Sequence, residues 1–143
     1  MKNITFEDFD RLAVEVAELL TGRAVAIRWR SPASIGAIGT TSKFFDKFVI
    51  EVDPALEQDQ SLSVYLHEVA HIALHGGEMR NSAAAVRPSA SRVDNCVIDR
   101  GYLTREPEAD QLAAFWLDQA EQATYMLTPY RLLEALKKIY SKQ

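Results

Sequence analysis

Apolar residues first recur at helical spacing, at Phe6, Phe9, Ala13, Val16, Ala17 and Leu20. That period predicts an amphipathic helix laid on a core. Thr5 stands where an N-cap belongs, and the helix is expected to end near Thr21-Gly22, where glycine can take the left-handed stop. The pattern then changes. Residues 24–30 are β-branched and alternate at their end, which predicts a strand. Pro32, Gly36 and Gly39 mark a turn within 31–41, with a short strand expected around 35–41. A stronger strand is expected over 44–52, with Phe48, Ile50 and Val52 on one face and Lys47, Val49 and Glu51 on the other. Asp53-Pro54 ends it. These strands predict a small, mainly antiparallel sheet directly ahead of the next helix. The exposed edge of such a sheet can pair an extended polypeptide main chain. A managed sheet edge with no ligand is an equal reading.

The next helix is expected to begin near 59–61 and to stop at Gly76-Gly77. Leu62, Val64, Leu66, Val69, Ala70, Ile72, Ala73 and Leu74 make it apolar nearly all round, the mark of a buried helix. Into it the sequence sets His67-Glu68-Val69-Ala70-His71, and the chain's three histidines are 67, 71 and 75. A step of four residues turns about 400° and rises about 6 Å, which stacks His67 and His71 on one face. Two imidazoles so placed can meet one zinc ion at about 2.0–2.1 Å, with Glu68 alongside to handle a proton. The plainer alternative is a chance match made of hydrogen-bonded core histidines. Burying these groups without partners would cost roughly 1–3 kcal/mol per neutral group, and more for a charge. A divalent metal removes that cost. His75 lies about 12 Å along the axis from His67. It reads as a last-turn residue meeting the helix dipole, not as a ligand.

Residues 78–103 are polar, punctuated by Pro88 and Gly101, and carry Arg80, Arg87, Arg92 and Arg100. A loop of this length is often functional, and a lid and a docking surface for an acidic partner segment are both open readings. For any single arginine a solvated loop is the simpler reading. Cys96 falls here, and an inert thiol is expected rather than an inhibitory metal ligand. Thr104 is expected to cap a third helix, with Pro107 in its first turn. Thr128-Pro129 opens a last helix that buries Leu132, Leu133, Leu136 and Ile139, and Lys137, Lys138 and Lys142 complement its dipole.

A catalytic zinc needs three protein ligands and an open position. With no histidine left, the third comes from Asp, Glu or Cys96. Glu106-Pro107-Glu108-Ala109-Asp110 supplies a candidate. At about 100° per residue, Glu106 and Asp110 share a stripe with Ala113 and Leu117, flanked by Ala109, Leu112, Trp116 and Ala120. Glu108 falls on the face of Gln111, Phe115 and Asp118. Glu106 is therefore the chosen ligand. Asp110 is placed to accept the remaining ring N–H of a zinc-bound histidine. The competing reading is an acidic first turn and nothing more.

Composition narrows the classes. The 143 residues fit a single domain over 1–143, with 48% hydrophobic and 25% charged residues. No apolar run approaches the roughly 20 residues that span a bilayer. The N-terminus lacks a signal peptide's apolar core. One cysteine suits a reducing cytoplasm. A net charge of −4 gives no footprint for nucleic acid.

With His67-Glu68-x-x-His71 followed by Glu106-x-x-x-Asp110, the chain resembles a gluzincin. More narrowly it is similar to the ImmA/IrrE family of bacterial and phage metallopeptidases. The likeness rests on Leu74-His75 after the first motif and on Glu106-Pro107-Glu108-Ala109 running into an alanine-rich helix with Ala113 and Ala114. Trp116-Leu117-Asp118 departs from that family's usual Leu-Leu-Met-Pro, and the segment between the motifs is long. Gly77 stands where a metzincin would have its third histidine. The resemblance implies an α+β zincin-like domain, a small sheet with about four helices and the His-Glu-x-x-His on the central one. It implies one catalytic zinc on His67, His71 and Glu106, with Glu68 as general base and Asp110 behind a ligand. It implies a cytoplasmic endopeptidase whose substrate is a helix-turn-helix repressor of a mobile element or stress regulon, with no direct contact to nucleic acid or membrane. Tyr102, Tyr125, Tyr130 and Arg105 stay open as oxyanion partners. Two rivals stand beside it: a catalytically weak zinc-binding domain that controls a repressor by binding, and a zinc hydrolase of small molecules.

Overall fold

Helix α1 spans Phe6–Thr21 and begins with a capping box. The Thr5 hydroxyl accepts from the Asp8 N–H, and the Asp8 carboxylate accepts from the Thr5 N–H. Gly22, at φ 68, ends the helix in the left-handed region. The chain continues through β1 (Ala24–Trp29), β2 (Gly39–Phe44), β3 (Lys47–Val52) and α2 (Gln58–His75), which runs into a single 3-10 turn at Gly76–Glu78. Helices α3 (Arg100–Ala123) and α4 (Pro129–Tyr140) complete it. The computed structural model describes residues 5–30, 38–45, 47–78 and 100–142, with side chains described at all of these except 58, 59, 78 and 100–106. The class is α+β.

The sheet has the order β1-β3-β2. Strand β2 pairs with β3 antiparallel, from Gly39 opposite Val52 to Phe44 opposite Lys47, whereas β1 pairs with β3 in parallel, from Ala24 opposite Lys47 to Trp29 opposite Val52. The sheet is therefore mixed, not mainly antiparallel. The hairpin takes one edge of β3, so β1 can add only on the other. Parallel neighbours need a crossing connection rather than a tight turn, and here the chain between β1 and β3 makes it. The strand boundaries also differ from the expected 35–41 and 44–52. Phe44 belongs to β2, and Phe45 takes φ 57 in the tight turn before Lys47. Two adjacent phenylalanines conceal that turn from a hydrophobicity pattern.

Phe48, Ile50 and Val52 point from β3 into the core, one cluster that also holds Leu12, Val16, Leu66, Val69, Ile72, Trp116, Leu133 and Leu136. Each such side chain contributes roughly 1.5–3 kcal/mol on burial. On the other face of β3, Glu51 is buried and answered by Arg30 and the Thr40 hydroxyl. Helix α2 is central and touches α1, α3, α4, β2 and β3. Its Tyr65 is fully buried and donates its hydroxyl to the Ala13 carbonyl. Helix α3 starts at Arg100, ahead of the expected Thr104, and Pro107 lies inside it. The fixed φ of proline is helical, so the helix passes through at the loss of one backbone hydrogen bond. Ala109, Ala113, Trp116 and Ala120 form its buried side. The Thr128 hydroxyl caps α4. The expected lid or docking loop, in its part from 79 to 99, lies outside the described residues, and Cys96 with it. No helix among the described residues is long and apolar enough to cross a membrane.

Candidate metal centre

His67 and His71 sit one turn apart on α2, their rings nearly perpendicular at a centroid distance of 4.6 Å. The two Nε2 atoms face each other at 3.1 Å. Nitrogens on a tetrahedral zinc with bonds of about 2.0–2.1 Å stand about 3.3 Å apart, so this pair already has the spacing of two ligands. The other nitrogen of His67 is engaged: Nδ1 lies 2.7 Å from Asp110 Oδ1. An ionised carboxylate only accepts, so Nδ1 carries a proton, and Nε2 is the ring atom turned to His71. A gap between two facing ring nitrogens calls for a proton or a cation. His71 is buried and His67 mostly so, whereas Asp110 reaches in from an exposed position on α3.

Glu68 follows His67 around the helix and is only 3% exposed. The Thr41 hydroxyl of β2 donates to its Oε1 at 2.5 Å. Strand β2 can lie this close because its other inward residue is Gly39. A Cβ there would stand 2.3 Å from Val64 Cγ1 and 3.3 Å from Glu68 Oε2. Reasoning from sequence missed both Thr41 and Gly39. Gly39 was legible only as a turn glycine, although its alternation with Thr41 on one strand face was the available signal.

Residue 106 lies in α3 one turn before Asp110, and its side chain is outside the described residues. Asp110 meets His67 and Glu108 comes near His75, so α3 runs back along α2. Residue 106 accordingly stands toward the His71–His75 end. Glu108 does not turn away from α2 as expected, because its Oε2 lies 3.8 Å from His75 Nε2. A glutamate at the margin of a buried face is long enough to reach over it. His75 itself is buried in the last turn of α2, its ring 6.1 Å from that of His71. Among the described residues, no group of three or more His, Cys, Asp or Glu side chains is arranged to hold a metal ion. Of the oxyanion candidates, Tyr125 is fully exposed after α3, and Tyr130 lines a cleft between α1 and α4. The side chains of Tyr102 and Arg105 fall outside the described residues.

Comparison of the chain with family models, with curated proteins and with solved structures found no match.

Proposed function

We propose that the chain is a zinc-dependent endopeptidase on a zincin-like domain, similar to the ImmA/IrrE metallopeptidases, acting in the cytoplasm. The observation that carries this reading is the pair of Nε2 atoms held 3.1 Å apart, with Asp110 on the far nitrogen of His67. Glu106, one turn from Asp110 and toward the His71 end of α2, is the residue assigned as third ligand. Zinc, when bound, supplies a water with pKa lowered to about 7 and a Lewis acid for the scissile carbonyl. Glu68 would serve as the general base, accepting a proton from the attacking water and returning it to the leaving amine.

The sheet supports a polypeptide as the substrate. Among the described residues β2 is an edge strand, and it runs beside α2. The Asp53 N–H donates to the Ile38 carbonyl at 3.0 Å, which makes that pair a hydrogen-bonded one. Alternation along the ladder then turns the backbone N–H and C=O of Gly39, Thr41 and Lys43 to the outer edge. An extended polypeptide can add there as a further strand, alongside Glu68. A helix-turn-helix repressor is the proposed protein substrate.

The test compares zinc-loaded wild type with Glu68→Gln in lysate of the source cells, mapping new protein N-termini by mass spectrometry. A small set of cleavages, including one in a helix-turn-helix protein and absent with Glu68→Gln, supports the proposal. No difference between the two overturns it. Binding of that protein without any cleavage would favour the interaction domain instead.

A further inference from the structure

On the peptidase reading above, we infer that Thr41 is a positioning residue, whose hydroxyl holds the Glu68 carboxylate in place to take a proton. Thr41 is 1% exposed, and its Oγ1 lies 2.5 Å from Glu68 Oε1 and 3.4 Å from the Glu68 carbonyl oxygen. The carboxylate is the nearer acceptor and takes the hydroxyl proton. A glutamate has three side-chain torsions, and a misplacement of about 1 Å at a reacting group can cost about 100-fold in rate. Thr41 is well suited to remove that freedom. It is β-branched, so its own χ1 is stiff, and it is paired in the ladder opposite Ile50.

Gly39 sets the height of this contact. A side chain there would collide with Val64, so glycine lets β2 come down onto α2 far enough for the hydroxyl to reach. The backbone of Thr41 adds a second duty. Its N–H and C=O face the outer edge of β2, where an extended substrate would pair. One residue thereby fixes both the register of the substrate strand and the direction of the base.

Thr41→Val keeps the shape and removes the donor, whereas Thr41→Ser keeps the donor. Both are assayed, zinc-loaded, on the peptide that wild type cleaves fastest in a quenched-fluorescent library of random sequence. Thr41→Val should lower kcat by roughly 10–100-fold with KM and zinc content unchanged. Thr41→Ser should restore most of the rate. In a Glu68→Gln background Thr41→Val should cost nothing more, because the group it positions is gone. A second readout needs no turnover: in zinc-free protein the buried Thr41 hydroxyl proton should give a slowly exchanging NMR resonance that Glu68→Gln shifts. Wild-type kcat in Thr41→Val, or an equal loss in the Glu68→Gln background, overturns the inference. If Thr41→Val does not fold, Thr41→Ser decides: a large loss of kcat despite the retained hydroxyl also overturns it. Failure of wild type to cleave any peptide counts against the peptidase reading, and the positioning role falls with it. An active wild type beside an unaffected Thr41→Val removes the role of Thr41 alone.

Discussion

Asp110 Oδ1 and His67 Nδ1, 2.7 Å apart, join the third helix to the second at the one histidine nitrogen that does not face His71. With its side chain 71% exposed, Asp110 contributes little stability as an ion pair. Its effect is to fix the tautomer and orientation of the imidazole. Asp110→Ala should therefore lower zinc affinity by roughly 10–100-fold while hardly moving the thermal midpoint of the metal-free protein. Competition with a chromogenic chelator measures the first, and calorimetry the second. Unchanged affinity would show that His67 is held by other means.

Gly39 gives a prediction about packing. A Cβ 2.3 Å from Val64 Cγ1 forces the strand or the valine to move. Overpacking of this kind costs about 1–3 kcal/mol, so Gly39→Ala should lower the thermal midpoint by several degrees. Combined with Val64→Ala, the loss should be smaller than the sum of the two single effects. Thermal unfolding of the four proteins in a double-mutant cycle checks this. Strict additivity would mean that the contact is relieved elsewhere.

Legibility in the sequence divided along physical lines. The cap at Thr5, the left-handed stop at Gly22 and the Thr128 cap are local chemistry, and they were readable as such. The core face of β3 followed from simple alternation through Phe48, Ile50 and Val52. Contact of Asp110 with a histidine ring needed only helical spacing on both partners and an apolar face to bring the helices together. What escaped was set by tertiary partners. The parallel pairing of β1 with β3 depends on which edge the hairpin leaves open. The turn at Phe45 is masked by two aromatic residues, and the start of α3 at Arg100 by the usual reading of Pro107 as a first-turn residue. Thr41 meets Glu68 only because one strand packs on one helix, and no sequence period encodes that contact.

Tyr65 gives a pH dependence. Burial pushes its phenol well above the ordinary 10.0. Above that value the unfolded chain has lost this proton and the folded chain keeps it, so stability falls as pH rises. Its contribution is complete below about pH 10, and the slope beyond approaches about 1.4 kcal/mol per pH unit. Tyr65→Phe should flatten this part of the alkaline loss, yet be less stable near neutrality by about 1 kcal/mol for the lost bond to the Ala13 carbonyl. Urea unfolding across the alkaline range, wild type against variant, reads both effects. Parallel curves would mean that Tyr65 ionises freely in the folded protein.

Metal content tests the ligand set directly. With His67, His71 and Glu106 as ligands, protein purified without chelator should carry about one zinc per chain. His71→Ala and Glu106→Ala should each lose most of it. Glu108→Ala should keep it, because Glu108 lies near His75, at the far end of the motif from His67, and at a separation of 3.8 Å. Chelation should lower the thermal midpoint, since an ion held at 1,000 times its dissociation constant stabilises the fold by about 4 kcal/mol. The core of leucines, valines and alanines does not depend on the metal, so the chelated chain should still unfold cooperatively. Elemental analysis and calorimetry on the same preparations give both answers. Loss of zinc from Glu108→Ala with retention in Glu106→Ala would move the third ligand to Glu108, and the ion with it toward His75. Full zinc in His71→Ala would remove the assignment, because the facing Nε2 pair is the feature from which the centre is built.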